Sequence, residues 1–207
     1  MKIVKPPTKQ NIVKCAVDLF SEKGYTETSI RDIALAAGIN PASLYFHFLS
    51  KEDLLLFILN DFANHTQTMF NNPDMVSALK EDHTAEGILK CMLLGFLILE
   101  DDYYLKVLHI IFQEQHRNDV FRDFVIKTIL DIEEYVERIF VALKDLNVIA
   151  NDADPDFWKK IISSMLYSFP SRIPLGIGHN SEEFTGMDIV DLLRYAFATI
   201  LSLYGIG

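Results

Sequence analysis

Apolar residues recur along this chain at the three- and four-residue intervals of amphipathic helices, and no stretch alternates as a strand would. Ile12, Ala16, Leu19 and Phe20 mark a helix from about Thr8 to Lys23, ended by Gly24. Two short helices follow, from Ile30 to Ala37 and from Pro41 to about Phe48. A longer one runs from Lys51 to about Phe70 with Leu54, Leu55, Ile58, Phe62 and Met69 on one face, and Asn71-Asn72-Pro73 breaks it. Met75 to Lys80 reads as a short helical turn. A helix from Thr84 to about Leu99 turns Ile88, Leu89, Met92, Leu93, Phe96 and Leu97 inward, and Gly95 inside it, costing about 1 kcal/mol against Ala, points to a close contact or a ligand. After Glu100-Asp101-Asp102 comes a helix from Tyr103 to Gln115. The clearest element runs from Asp119 to Leu146 and holds the 3.6-residue period for about seven turns. Asp154-Pro155 opens a helix that reaches Pro170. A Pro/Gly-rich loop spans 170–183, and Thr185 with Asp188 starts a last helix to Tyr204. The pattern predicts an all-α fold.

The polar punctuation is densest between residues 28 and 54. Ser29 with Asp32, and Ser50 with Asp53, have capping-box spacing. Asn40 before Pro41 reads as an N-cap with proline at the first helical position. Gly38 can take a positive φ and end a helix in one residue. Ala34 and Ala37 are small enough for two helices to pack closely, and Ile30, Ile33, Ile39, Leu44 and Phe48 can meet in the corner. That is a helix-turn-helix, with residues 40–48 as the recognition helix.

This stretch resembles the DNA-binding segment of the tetracycline-repressor (TetR) family. The family's run is met at Ser29, Asp32-Ile33-Ala34, Ala37-Gly38-Ile39, Leu44-Tyr45-Phe46-His47-Phe48 and Ser50-Lys51-Glu52-Asp53-Leu54. Ala42, where many members have Gly, and Pro41 depart from it where bases would be read. The resemblance implies a homeodomain-like, three-helix helix-turn-helix domain over 1–52 and a helical ligand-binding and dimerisation domain over 53–207. It implies double-stranded DNA with a palindromic operator as partner, and a small-molecule effector. By motif match, Arg31, Asn40, Pro41, Ala42 and Ser43 face base edges or the groove, while Thr28, Ser29, Tyr45, His47 and Lys51 contact phosphates.

Charge changes the picture. The net charge of −10 runs against a DNA binder until it is divided: residues 1–51 hold seven Lys/Arg and four Asp/Glu, whereas residues 52–207 hold twelve and twenty-five. A mildly basic head therefore precedes an acidic body. Residues 1–7, with Lys2 and Lys5, read as a tail or as a basic arm for the minor groove. Cys15 and Cys91 lie in apolar helical patterns, which suggests buried reduced thiols and a cytoplasmic protein. No signal peptide opens the sequence, and the apolar run from Cys91 to Leu99 is too short to span a bilayer.

Aromatics with polar tips gather in the body. Met92, Phe96, Tyr103, His109, Phe112, His116, Trp158, Met165 and Phe169 are candidates for an effector pocket with apolar walls, although each singly reads as core. His109 and His116, seven apart, share a helical face but lack the further ligand a metal needs, so no metal or cofactor is expected. Gly176-Ile177-Gly178 lacks the context of a phosphate loop. The last helix is polar only at Asp188, Asp191, Arg194, Thr199 and Ser202, so it needs burial on two sides. With the helix opening at Asp154, which carries Ser163, Ser164 and Ser168, it predicts a homodimer through a four-helix bundle. The function expected is a ligand-responsive regulator, in most cases a repressor, and not an enzyme. The other reading is an all-α enzyme or lipid carrier with a structural N-terminal bundle.

Overall fold

A computed structural model describes residues 9–71, 74–94, 101–150, 153–156, 159–160, 163–164, 189–203 and 205. Among the described residues the elements are α1 (Lys9–Lys23), α2 (Ile30–Ala36), α3 (Pro41–Tyr45), α4 (Lys51–Phe70), α5 (Asp74–Glu81), α6 (Ala85–Leu94), α7 (Asp102–Glu114), α8 (Asp119–Asp145) and α9 (Ile189–Leu203). They include no strand, and no helix long and apolar enough to cross a membrane. The expected N-terminal tail, Gly95 and the loop over 170–183 lie outside the described residues.

Two compact units are present. The first takes the chain up to Asn64 together with Asp102–Phe124; the second takes His65–Asp101 and the chain from Val125 onward. The first unit thus includes more than residues 1–52, because α7 packs along α1. Ile12, Val13, Ala16, Val17 and Phe20 of α1 are buried, as are Val107, Ile110 and Ile111 of α7. Lys106 of α7 reaches Asp18 of α1 and Asp102 on its own helix, each at 2.9 Å. An edge-to-face chain runs from Phe20 to Tyr25 at 5.1 Å and on to Phe121 at 5.6 Å. From α4, Leu54, Leu55, Ile58, Leu59 and Phe62 complete this core.

In the second unit, α5 packs on α6, and α6 on α9. Its core holds Met75, Leu79, Ile88, Cys91, Ile132, Tyr135, Val136, Ile139, Phe140, Phe197 and Leu201. The Tyr135 hydroxyl donates to the carbonyl of Cys91, and its ring lies 5.2 Å from that of Phe70. Arg138 satisfies the end of α4, donating to Asn71 Oδ1 at 2.7 Å and to the Phe70 carbonyl. Cys91 is buried as expected, whereas Cys15 is half-buried.

Three local expectations change. The second short helix ends at Tyr45 rather than Phe48, because His47 N turns to Leu44 O in a tighter hydrogen bond at 2.9 Å. α7 stops at Glu114, so His116 lies in the turn beyond it, exposed, and does not share a helical face with buried His109. The turn at Met75 is a full helix of eight residues.

Candidate nucleic-acid interface

The corner is built from its caps inward. Ser29 accepts from Asp32 N at 3.2 Å, and the Asp32 carboxylate accepts from Ser29 N at 2.9 Å and Ser29 Oγ at 2.6 Å. Both halves of the capping box are present. Those Ser29 hydrogen bonds hold the Asp32 carboxyl below the usual carboxylate range. α2 ends at Ala37, and Gly38 takes φ +71, the left-handed conformation that lets the chain turn at once. Asn40 then caps α3, its Oδ1 accepting from Ser43 N at 2.8 Å and from Ser43 Oγ at 3.1 Å, with Pro41 at the first position. Ile33, Ala34, Ala37, Leu44 and Phe48 are buried where α2 and α3 meet. Ser50 Oγ accepts from Asp53 N at 3.0 Å and starts α4, and Asp53 reaches back to Leu49 N at 2.8 Å.

With that corner fixed, Ser29, Arg31, Asn40, Pro41, Ala42, Tyr45 and His47 are exposed and Ser43 is partly exposed. The structure brings these sequence-predicted residues onto α2, α3 and their caps. Two others do something else. Thr28 is 1% exposed, and its hydroxyl donates to Gly24 O at 2.8 Å; its side chain braces the loop. Lys51 spends its ammonium on backbone carbonyls, donating to Tyr25 O and Thr28 O at 2.9 Å each and to Thr26 O at 3.4 Å. It also lies 4.3 Å from the centre of the Tyr25 ring. Burial lowers its pKa, against the opposing pull of Glu114 and Glu27.

Sequence reasoning did not find Glu114 as the partner of this loop. Its Oε1 accepts from Tyr25 N at 2.9 Å, and the residue is buried. Nor did it find Lys9, whose ammonium stands 4.0 Å from the Phe57 ring and 4.9 Å from the Phe48 ring behind α3.

The effector candidates are less fully described. Phe96, Trp158, Met165 and Phe169 lie outside the described residues, and of Met92 only its place in α6 is described. Tyr103 and Phe112 are half-buried in α7, and Tyr103 lines an open cleft of about 700 Å³ shared with Lys9, Phe57 and Lys106. His109 is 9% exposed. Its Nε2 lies 2.6 Å from the side-chain amide nitrogen of Gln113, and its Nδ1 is buried without a partner among the described residues. With the amide donating to Nε2, the ring proton sits on Nδ1. Burial lowers the pKa of this histidine.

The family model described as bacterial regulatory proteins, tetR family, matches residues 12–58, which span α1 through the first turns of α4. The biofilm operon icaADBC HTH-type negative transcriptional regulator IcaR of Staphylococcus epidermidis is 31% identical over 100 residues, 48% of this chain and 50% of that protein. This chain therefore spans about half the length of that relative. Among solved structures, Salmonella enterica GusR superposes with a TM-score of 0.65 at 21% identity, over 98% of this chain and 100% of that one. A transcriptional regulator FadR from Bacillus subtilis, in complex with stearoyl-CoA, superposes with a TM-score of 0.64 at 18% identity, over 94% and 97%. The structural likenesses are of the whole fold, an N-terminal helix-turn-helix followed by a helical body.

Proposed function

We propose that this chain is a ligand-responsive, sequence-specific DNA-binding regulator of transcription, of the tetR family of bacterial regulatory proteins whose model matches residues 12–58. The observation that carries the reading is the capped corner itself. A rigid turn at Gly38 sets α3 outward with Pro41, Ala42, Tyr45 and Phe46 exposed, on a segment whose first 51 residues carry a net positive charge. An exposed short helix held by a second helix is the geometry that enters a major groove. Residues 1–52 act as the DNA-binding domain, with Arg31, Asn40, Pro41, Ala42 and Ser43 toward the bases and Ser29, Tyr45 and His47 toward phosphates. Residues 53–207 carry effector binding and dimerisation. Repression is the mode we assign, since IcaR is described as a negative regulator.

The effector is a small, largely apolar or aromatic molecule. Two features support this: a structural neighbour is described in complex with stearoyl-CoA, whose acyl chain is apolar, and His109 Nδ1 is buried with no partner among the described residues, a polar point that can orient a ligand. Two copies bind a palindromic operator, joined in part through α9, where Tyr195 and Leu203 are each 68% exposed.

Titration of duplex DNA at two salt concentrations tests the reading. A regulator that neutralises several phosphates loses affinity steeply as salt rises. Binding that ignores salt, or ignores DNA sequence, overturns it. For the effector, reciprocity is the criterion: a true inducer binds less tightly when operator is present.

A further inference from the structure

The outward face of α3 and its C-cap carries no charged side chain. Pro41, Ala42, Tyr45 and Phe46 are exposed, and offsets of one, four and five residues put them on one side of the helix. Leu44 is turned into the core. No Arg, Lys, Gln, Asp or Glu occurs between Asn40 and Phe46. The side chains that read guanine and adenine edges by paired hydrogen bonds are therefore missing from this face. Asn40 has committed its carbonyl oxygen to Ser43, and the Ser43 hydroxyl is committed in return.

In a major groove, one feature of the base edges is apolar: the 5-methyl group of thymine. Phe46 is 91% exposed, and a ring left so open on a helix otherwise capped and packed has a use outside the fold. The surroundings favour DNA as its occupant over an apolar protein surface. Arg31 on neighbouring α2 is exposed, and residues 1–51 hold seven Lys/Arg against four Asp/Glu, a charge balance complementary to phosphate.

We propose that α3 recognises its operator by packing Ala42 and Phe46 against thymine methyl groups, so that each half-site carries thymines at the contacted steps. Hydrogen-bonded readout is left to Arg31 and the Asn40 amide nitrogen at the edge of the face. This inference rests on the DNA-binding reading above.

The test uses the full chain. A duplex is selected from a random-sequence library and prepared in two forms, one with thymine and one with deoxyuridine throughout the selected site. Loss of each contacted methyl should weaken binding about fourfold. Phe46→Ala should bind the thymine form less tightly and discriminate less between the two. Because Phe46 is at the surface, that variant keeps the fold, which circular dichroism checks. Failure to enrich any sequence overturns the DNA-binding reading, and this inference with it. An enriched duplex bound equally well in both forms overturns this inference alone. Discrimination that survives in both Phe46→Ala and Ala42→Gly removes it from α3 and overturns the assignment.

Discussion

The carboxylate of Glu114 accepts the backbone N–H of Tyr25 at 2.9 Å, across 89 residues of sequence, and its second oxygen is buried without a partner among the described residues. The contact fixes the loop between α1 and α2. Gly24 ends α1 at φ +87, and a Cβ there would stand 3.2 Å from the same Glu114 oxygen. The Tyr25 carbonyl then accepts from Lys51 at 2.9 Å. The end of α7 and the start of α4 thus hold one peptide segment, four residues ahead of the cap of α2.

Glu114→Ala strands the Tyr25 N–H and should lower the free energy of unfolding by about 1–3 kcal/mol. Glu114→Gln retains an acceptor in place and should cost clearly less. Urea denaturation of the two variants compares them, and equal losses would show that the hydrogen bond is not what Glu114 contributes.

Lys51 separates two roles that sequence alone merges. If it holds carbonyls, Lys51→Met should lower stability and weaken DNA binding at every salt concentration by one factor. If it met a phosphate, the slope of log affinity against log salt would fall by about 0.9 per half-site. An unchanged slope is expected, because its ammonium already has three carbonyl partners.

The local features of this corner were legible in the sequence, and the distant ones were not. Ser29 with Asp32, Asn40 with Pro41, and Ser50 with Asp53 act within one helical turn, so spacing alone identifies them. The same holds for the core faces of α1 and α4. Glu114 and Lys51 have partners 89 and 23–26 residues away, and no periodicity encodes such a pairing. Thr28 reads as a phosphate contact because its neighbours lie in the motif; only the packing reveals a hydroxyl turned inward onto Gly24. The apolar period overstates the length of α3, because Phe48 keeps that period after the helix has tightened and ended.

Acidification should destabilise the protein through His109. Burial lowers its pKa below the ordinary value of 6.5, so the unfolded chain takes up a proton before the folded one does. Stability is then full above the unfolded value and falls as pH drops from about 6.5 toward the lower folded value. The loss is at most about 1.4 kcal/mol per pH unit for one proton. His109→Gln should flatten this part of the stability profile. Parallel profiles for the two proteins between pH 7 and pH 5 would remove His109 as its source.

Gly87 should reverse the usual helix rule. Replacing a helical Gly by Ala ordinarily gains about 1 kcal/mol. At Gly87 an added Cβ collides with both the side chain and the carbonyl of Asp82. Asp82 cannot move freely, since it accepts from Thr84 N at 3.1 Å and Thr84 Oγ1 at 2.6 Å, while Thr84 caps α6 through Gly87 N at 3.2 Å. Those Thr84 hydrogen bonds also lower the Asp82 pKa. Gly87→Ala should therefore destabilise, by about 1–3 kcal/mol. A thermal midpoint raised by the substitution would contradict the geometry.

The exposed face of α9 should join two copies of the chain. Tyr195, Ala198, Thr199, Ser202 and Leu203 are exposed, and their offsets of three, four, seven and eight residues describe one helical stripe. Phe197 and Leu201 face the core instead. Arg194, also exposed, lies one turn before Ala198 on the same side, and the Thr199 hydroxyl is turned back to Tyr195 O at 2.8 Å, which leaves its methyl group to face outward. Small residues at its centre allow two helices to approach closely, with the larger Tyr195 and Leu203 packing at the ends. In a two-fold contact the same residue meets or nears itself. Ala198→Glu therefore sets two like charges together at the centre, on a chain already at −10, and such a juxtaposition costs several kcal/mol. Sedimentation at micromolar concentration should give a dimer for the parent chain and a monomer for Ala198→Glu, with the far-ultraviolet circular dichroism of the two unchanged. The same variant should lose affinity for a two-half-site duplex while keeping that for a single half-site, because its α3 is untouched. A parent chain that sediments as a monomer, or an Ala198→Glu variant that stays dimeric, would place the contact between copies elsewhere than α9.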